Sequence, residues 1–147
     1  MIRVQQEDFN VQSLYECLVE ENKTGAVVMF VGLVRQFADL PKEQCSFELE
    51  HYPGMTEQNL SSIVTEAKGR WELLNVTVVH RVGTLSVDDQ IVFVGVSSAH
   101  RAEAFQACDF IMDYLKSRAA FWKKENQGSD SKWVSANIRD EESLERW

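Results

Sequence analysis

Three runs rich in valine set the limits on what this chain can fold into: GAVVMFVGLVR from Gly25, NVTVVHRVG from Asn75 and QIVFVGVSS from Gln90. β-Branched side chains are stiff at χ1 and pack well on a pleated surface, so these runs read as strands. The first is apolar on both faces up to Arg35 and is expected to be buried. In CSFELEHY, Cys45, Phe47 and Leu49 face one way and Ser46, Glu48 and Glu50 the other, the pattern of a half-buried strand. Elsewhere the apolar period is helical. Val11, Leu14, Tyr15, Leu18 and Val19 follow Asn10 as N-cap. Tyr52-Pro53-Gly54 reads as a turn, Thr56 as the cap of the next helix, and Leu60, Ile63, Val64, Ala67 and Trp71 as its inner face. A long helix over 99–118, capped by Ser97 or Ser98, is expected to bury Ala104, Phe105, Cys108, Ile111, Met112 and Leu115. Residues 1–6 suit an edge strand, FWKKE an extended segment, NQGSDS a loop, WVSANI a last strand and DEESLERW a terminal helix or tail. Helices and strands do not alternate one-to-one, so the class is α+β. No repeat, linker or change of composition divides the chain, so residues 1–147 are taken as one domain.

Charge narrows the partners. Lys plus Arg number 15 against 23 Asp plus Glu, a formal net charge of -8. Nucleic-acid binding draws most of its affinity from neutralising phosphates, so this balance argues against it. A small anion needs only a local positive pocket. No apolar run reaches the roughly 20 residues that span a bilayer, and MIRVQQEDFN lacks the apolar core of a secretory signal. The three cysteines, Cys17, Cys45 and Cys108, form no C-x-x-C pair. They are expected to be reduced, buried or half-buried, in a cytoplasmic protein.

The familiar chemical motifs are missing. There is no phosphate-binding glycine loop, no H-E-x-x-H and no G-x-S-x-G, and His51, His80 and His100 are far apart in sequence. No metal or cofactor is implied. The positive signal is YLKSRAAFWKK (114–124), where Lys116, Arg118, Lys123 and Lys124 occur without an acid. Cations at a helix C-terminus also complement the macrodipole, so a solvated helix end is the alternative. The interleaved Tyr114, Phe121 and Trp122 can bury lysine stems and hold the ammonium groups close together. Crowding and desolvation lower a lysine pKa and supply a neutral amine near pH 7. A second cluster, His100 and Arg101, opens the long helix, where backbone N–H groups already favour anions. Its alternative is a surface Arg paired with Glu103 or Glu48. Arg35, at a strand end, is a third candidate. On one helix, residues 100 and 116 lie roughly 24 Å apart at 1.5 Å per residue. The clusters therefore serve different sites, or one site is shared between two subunits of a two-fold dimer, which the reading favours.

FVGLVR (30–35), LEHYPGMTE (49–57), VTVVHRVG (76–83), DQIVFVGVSSAHRAEAF (89–105), FIMDYLKSRAAFWKKE (110–125) and the terminal RW resemble the large, catalytic subunit of molybdopterin synthase. The resemblance implies an α/β hammerhead-like fold with an additional antiparallel sheet. It implies a sulfurtransferase that converts cyclic pyranopterin monophosphate (precursor Z) to molybdopterin. The sulfur comes from a thiocarboxylate on the C-terminal Gly-Gly tail of a small ubiquitin-like subunit, and two large subunits form the central dimer of a heterotetramer. The family's active-site lysines fall on Lys116 and Lys123. Its substrate-binding segments fall on Leu33, Val34 and Arg35, on His100 and Arg101 of the neighbouring subunit, and on Lys123, Lys124 and Glu125. Phe30 and Met112 match pocket-lining residues. Two positions depart from the family pattern: Ala120 stands where Pro is frequent, and Asn137 where some members place Arg, with Arg139 two residues on. The residues alone also allow a non-catalytic dimeric scaffold that binds a protein tail or a phosphorylated metabolite. A phosphate hydrolase lacks its nucleophile motif.

Overall fold

Strands Val76–Arg81 (β4) and Gln90–Ser98 (β6) pair antiparallel at the centre of a four-stranded sheet. The computed structural model describes residues 1–135 and 137–147. Ile2–Gln5 (β1) adds parallel to β4 at one edge, and Ala26–Leu33 (β2) adds antiparallel to β6 at the other. Alternation along β6 sorts its side chains. Val92, Val94 and Val96 face helices Met55–Arg70 (α2) and Arg101–Arg118 (α3), and Phe93 faces helix Val11–Leu18 (α1). At Gly95 a Cβ would stand 2.5 Å from Leu18 Cδ1, so only glycine lets α1 lie this close to the sheet. Leu18 and Phe93 are fully buried there, and truncating such a leucine to alanine costs about 2–5 kcal/mol.

The second sheet is wholly antiparallel. Cys45–His51 (β3) lies between Gly83–Ser86 (β5) and Phe121–Gln127 (β7), and Asp130–Trp133 (β8) pairs with β7. The class is α+β with an additional antiparallel sheet, as expected. Gly128, at φ 61°, makes the tight β7–β8 turn, so NQGSDS is a hairpin rather than an open loop. A short helix, Ile138–Glu142 (α4), and a final helical turn, Ser143–Arg146, close the chain. Arg146 binds Asp109 and Asp113 of α3, and the Trp147 indole donates to Asp113 and packs edge-on against Trp71 and Phe110. No helix among the described residues is long and apolar enough to cross a membrane.

Several expectations are corrected. β2 is an edge strand, not a buried one, with Met29, Phe30 and Leu33 exposed, because no strand among the described residues pairs with its outer side. Phe105 is exposed for a related reason: α3 turns Ala104, Ala107, Cys108 and Ile111 inward, and Phe105 lies outside that arc. Cys17 is exposed, whereas Cys45 and Cys108 are buried. Thr56 does not cap α2. Gly54 holds the N-cap at φ 85°, its N–H donates to the Glu57 carboxylate, and the Thr56 hydroxyl donates instead to the Ala120 carbonyl. His100, not a serine, is the N-cap of α3, with its N–H donating to Ser98 Oγ. WVSANI is not a last strand: the last strand is β8, which takes only Trp133 of that segment, Ile138 already opens α4, and Ala136 lies outside the described residues.

Candidate active site: a cleft lined by paired lysines

The cleft forms where α3 ends and β7 begins. Leu115 N-terminal to it and Phe121 after it are anchored in the core, so the intervening turn delivers Lys116 and Lys123 to the same space. The cavity has a volume of about 650 Å3. Leu33, Val34 and Arg35 form one wall, Lys116, Lys123 and Glu125 another, and Asn137 and Asp140 stand at the rim. The first wall is fixed by backbone pairing: Val34 N–H donates to Asp89 O, and Asp88 N–H donates to Val34 O.

Lys116 and Lys123 line the same cavity, where the charge of one bears on the other. Burial and the neighbouring Lys116 charge push Lys123 down from 10.5 to about 8, against the opposing pull of Asp140 and Glu125. At pH 7 a pKa of 8 leaves roughly a tenth of the amine neutral, against a few parts in ten thousand for an ordinary lysine. Among the described residues no carboxylate lies within ion-pair distance of Lys116, Lys123, Arg35, His100 or Arg101. In a chain of net charge -8, five basic side chains without an acidic partner at the expected positions mark a demand for an anion that the protein does not itself meet. The pairing of Arg101 with Glu103 or Glu48 does not occur, since Glu48 accepts from Asn126 and lies 3.9 Å from Lys124.

Not every expected residue meets in the cleft. Strand alternation turns Lys124 to the opposite face of β7 from Lys123, where it lies over the Trp133 ring. Phe30 and Met112 come together, but in a second pocket of about 270 Å3 between β2 and α3, beside Met29 and Phe105. His100 and Arg101 are exposed at the far end of α3, as the helix length requires. Arg139 does not line the cleft, whereas Asn137 does and also caps α4 by accepting from Arg139 N–H.

Sequence reasoning missed His80 and Asp140. His80 is buried beside the lysines and stacks on Phe121 with ring centroids 4.0 Å apart. Its Nδ1 lies 2.9 Å from Arg81 O, an acceptor, so the proton is on Nδ1 and Nε2 is bare. Burial first, then Lys123, Lys116 and His51, lower its pKa to about 3, so the ring stays neutral next to the amines. A histidine at an inward position of a valine strand was the available signal. Asp140 had none, because it approaches only through the fold of the C-terminal segment. No group of three or more His, Cys, Asp or Glu suited to a metal ion occurs among the described residues.

Fold and cleft together define a two-sheet α+β protein with paired lysines at the end of its longest helix. Residues 4–118 match the MoaE protein family, and the chain belongs to that family. It is 51% identical over 146 residues to the molybdopterin synthase catalytic subunit of Pasteurella multocida, covering 99% of this chain and 97% of that one. Among solved structures, the molybdopterin biosynthesis MoaE protein from Burkholderia ambifaria superimposes with a TM-score of 0.84 at 47% identity, covering 99% and 96% of the two chains. A molybdopterin synthase structure from Staphylococcus aureus gives 0.81 at 32% identity, covering 90% of this chain and 95% of the other.

Proposed function

We propose that residues 1–147 form one domain, the catalytic subunit of a molybdopterin synthase. It converts precursor Z to molybdopterin with thiocarboxylate sulfur from the Gly-Gly tail of a small ubiquitin-like subunit, in the cytoplasm. The observation that carries this reading is that Lys116 and Lys123 line one cleft with no carboxylate at ion-pair distance among the described residues, the pKa of Lys123 being lowered to about 8. The nearly full-length likeness to molybdopterin synthase catalytic subunits supplies the reaction.

Each residue then has a chemical task. The cyclic phosphate of precursor Z is held through charge-assisted hydrogen bonds by Arg35 and by His100 and Arg101 of a second copy. Leu33 and Val34 shape the wall along which the glycine tail threads, and Glu125 contacts substrate from β7. The thiocarboxylate sulfur bonds to a side-chain carbon of precursor Z, displacing an oxygen substituent, and water then attacks the acyl carbon of the thioester so formed. Negative charge passes onto the acyl oxygen, and the acyl carbon–sulfur bond breaks to leave sulfur on the pterin and a carboxylate on the glycine. Lys116 stabilises that oxyanion. Lys123, partly neutral at pH 7, positions substrate and moves protons between the two transfers. The cysteines carry no sulfur in this scheme, since the partner supplies it.

The shared site is supported by the geometry of β2. That strand runs from Ala26, opposite Ser98 at the start of α3, to Leu33 at the cleft. Its eight residues span roughly 26 Å, close to the roughly 24 Å from His100 to Lys116. A two-fold copy packed against this exposed edge and Phe105 would set its His100 and Arg101 at the cleft of the first chain. The buried Glu103 Oε2 has no partner among the described residues, which fits an end of α3 completed by another molecule.

The test is direct. The folded chain is mixed with thiocarboxylated small subunit and precursor Z, and molybdopterin is followed by fluorescence of its oxidised product. Product formation that Lys116→Arg and Lys123→Arg abolish is expected. No product from the folded wild-type chain would overturn the reading.

A further inference from the structure

Lys116 and Lys123 line the same cleft, an arrangement of like charges that repels itself unless something opposes it. The carboxylates in the cavity wall are Glu125, two residues along β7 from Lys123, and Asp140. Asp140 is half-buried and comes from a different part of the chain. It lies on α4, which Asn137 starts by accepting from Arg139 N–H, while Asp140 N–H donates to Asn137 O. The segment just beyond is tied down by Arg146 on Asp109 and Asp113 and by Trp147 on Asp113. Asp140 is therefore held at the rim by a clamp rather than by a free tail.

We propose that Asp140 is a positioning residue: its carboxylate, carried to the rim of the cleft by the clamped C-terminal segment, keeps Lys123 charged and directed at the space where the anion binds. The carboxylate is beyond ion-pair distance of both amines, which leaves the gap between them open to a ligand. The other charged or titratable groups around Lys123 are Lys116 from α3, His80 from β4, Arg35 after β2, and Glu125 on its own strand. Burial and Lys116 disfavour an ammonium at Lys123, His80 is neutral, and Asp140 and Glu125 favour one. Asp140 is the favouring charge that depends on the C-terminal fold. Its consequence for turnover rests on the proposed reaction, whereas its effect on the amine does not.

The experiment reads that amine without substrate. Protein labelled with ε-13C lysine is titrated by NMR, with the Lys123 signal assigned by its loss in Lys123→Arg. Asp140→Asn and Asp140→Ser are expected to lower the Lys123 midpoint by roughly half a unit to one unit, with unchanged melting temperatures, and Asp140→Glu to restore it. An unmoved midpoint in the folded Asn and Ser variants would overturn the proposal. In the sulfur-transfer assay the same variants should move the pH–rate profile in the same direction and lower kcat more than they raise KM. A proposed reaction that is itself wrong would show as no product from wild type, with the amine shift intact.

Discussion

The two ends of α3 carry similar charges in opposite settings. At the C-terminal end Lys116 and Lys123 line one cavity near a buried neutral His80, and α4 brings Asp140 to the cavity wall. At the N-terminal end His100 and Arg101 stand exposed beside Met29, Phe30 and Phe105, and no element of the chain covers them among the described residues. The first setting desolvates Lys123 and lowers its pKa. The second leaves His100 and Arg101 exposed to water. A cation becomes chemically special where the fold removes water and adds like charge, and α3 has that at one end only. The exposed end resembles half of a site, which a second copy would complete.

The sharpest way to break this comparison is to remove one amine from the closed end. Lys116→Ala and Lys123→Ala are each expected to cut sulfur transfer by about 10²–10⁴-fold, with melting temperatures within a few degrees of wild type. An active Lys123→Ala protein would show that the desolvated end is not special. Next in size is the stability effect of the neutral His80. Its folded pKa of about 3 lies below the unfolded value of 6.5, so the unfolded state binds the extra proton between those pH values. Stability is full above pH 6.5 and is lost as pH falls towards 3, by up to about 5 kcal/mol at the limit. His80→Gln should flatten that acid loss, read by urea melts at pH 4 and pH 7. An equal slope in both proteins would mean that His80 is not held neutral.

The open end has its own tests. Phe105→Glu puts a charge on the proposed dimer face and should shift the protein towards monomer in sedimentation, with loss of transfer activity and an unchanged monomer fold. Mixing an Arg101→Ala chain with a Lys116→Ala chain should restore part of the activity, because one cleft of the mixed dimer then has both wild-type sets. No recovery in a mixture shown to exchange subunits would place the two clusters in separate sites. The smallest effect is expected at Lys124→Ala. That side chain faces away from the cleft, 3.9 Å from Glu48, and partly exposed pairs of this kind contribute about 0–1 kcal/mol. A large loss of activity there would require the β7 face to be assigned anew.

Much of this was legible before any coordinates. Asn10 caps α1 by accepting from Ser13 N–H, as its side chain and the following apolar period indicate. The valine runs are strands, and the acid-free stretch from Tyr114 to Lys124 does deliver two amines to one cavity. The errors share a cause. Period and propensity report which side of an element is apolar, not what lies against it, so β2 looked buried and Phe105 looked internal. Strand β5 was missed because GTLS is short and half polar, and it is a strand only because β3 offers it a partner.

Sequence by itself determined the element types, the separation of the two cation clusters along α3 and the kinship that supplies the reaction. Those depend on local periodicity and chain length, which any single segment carries. Only the tertiary structure decided which cations lose water. Lys123 and Lys124 are neighbours of the same type, yet β7 turns one into the cleft and the other towards Glu48. Burial and mutual repulsion then act on the first alone, because desolvation is a property of the surrounding atoms rather than of the residue.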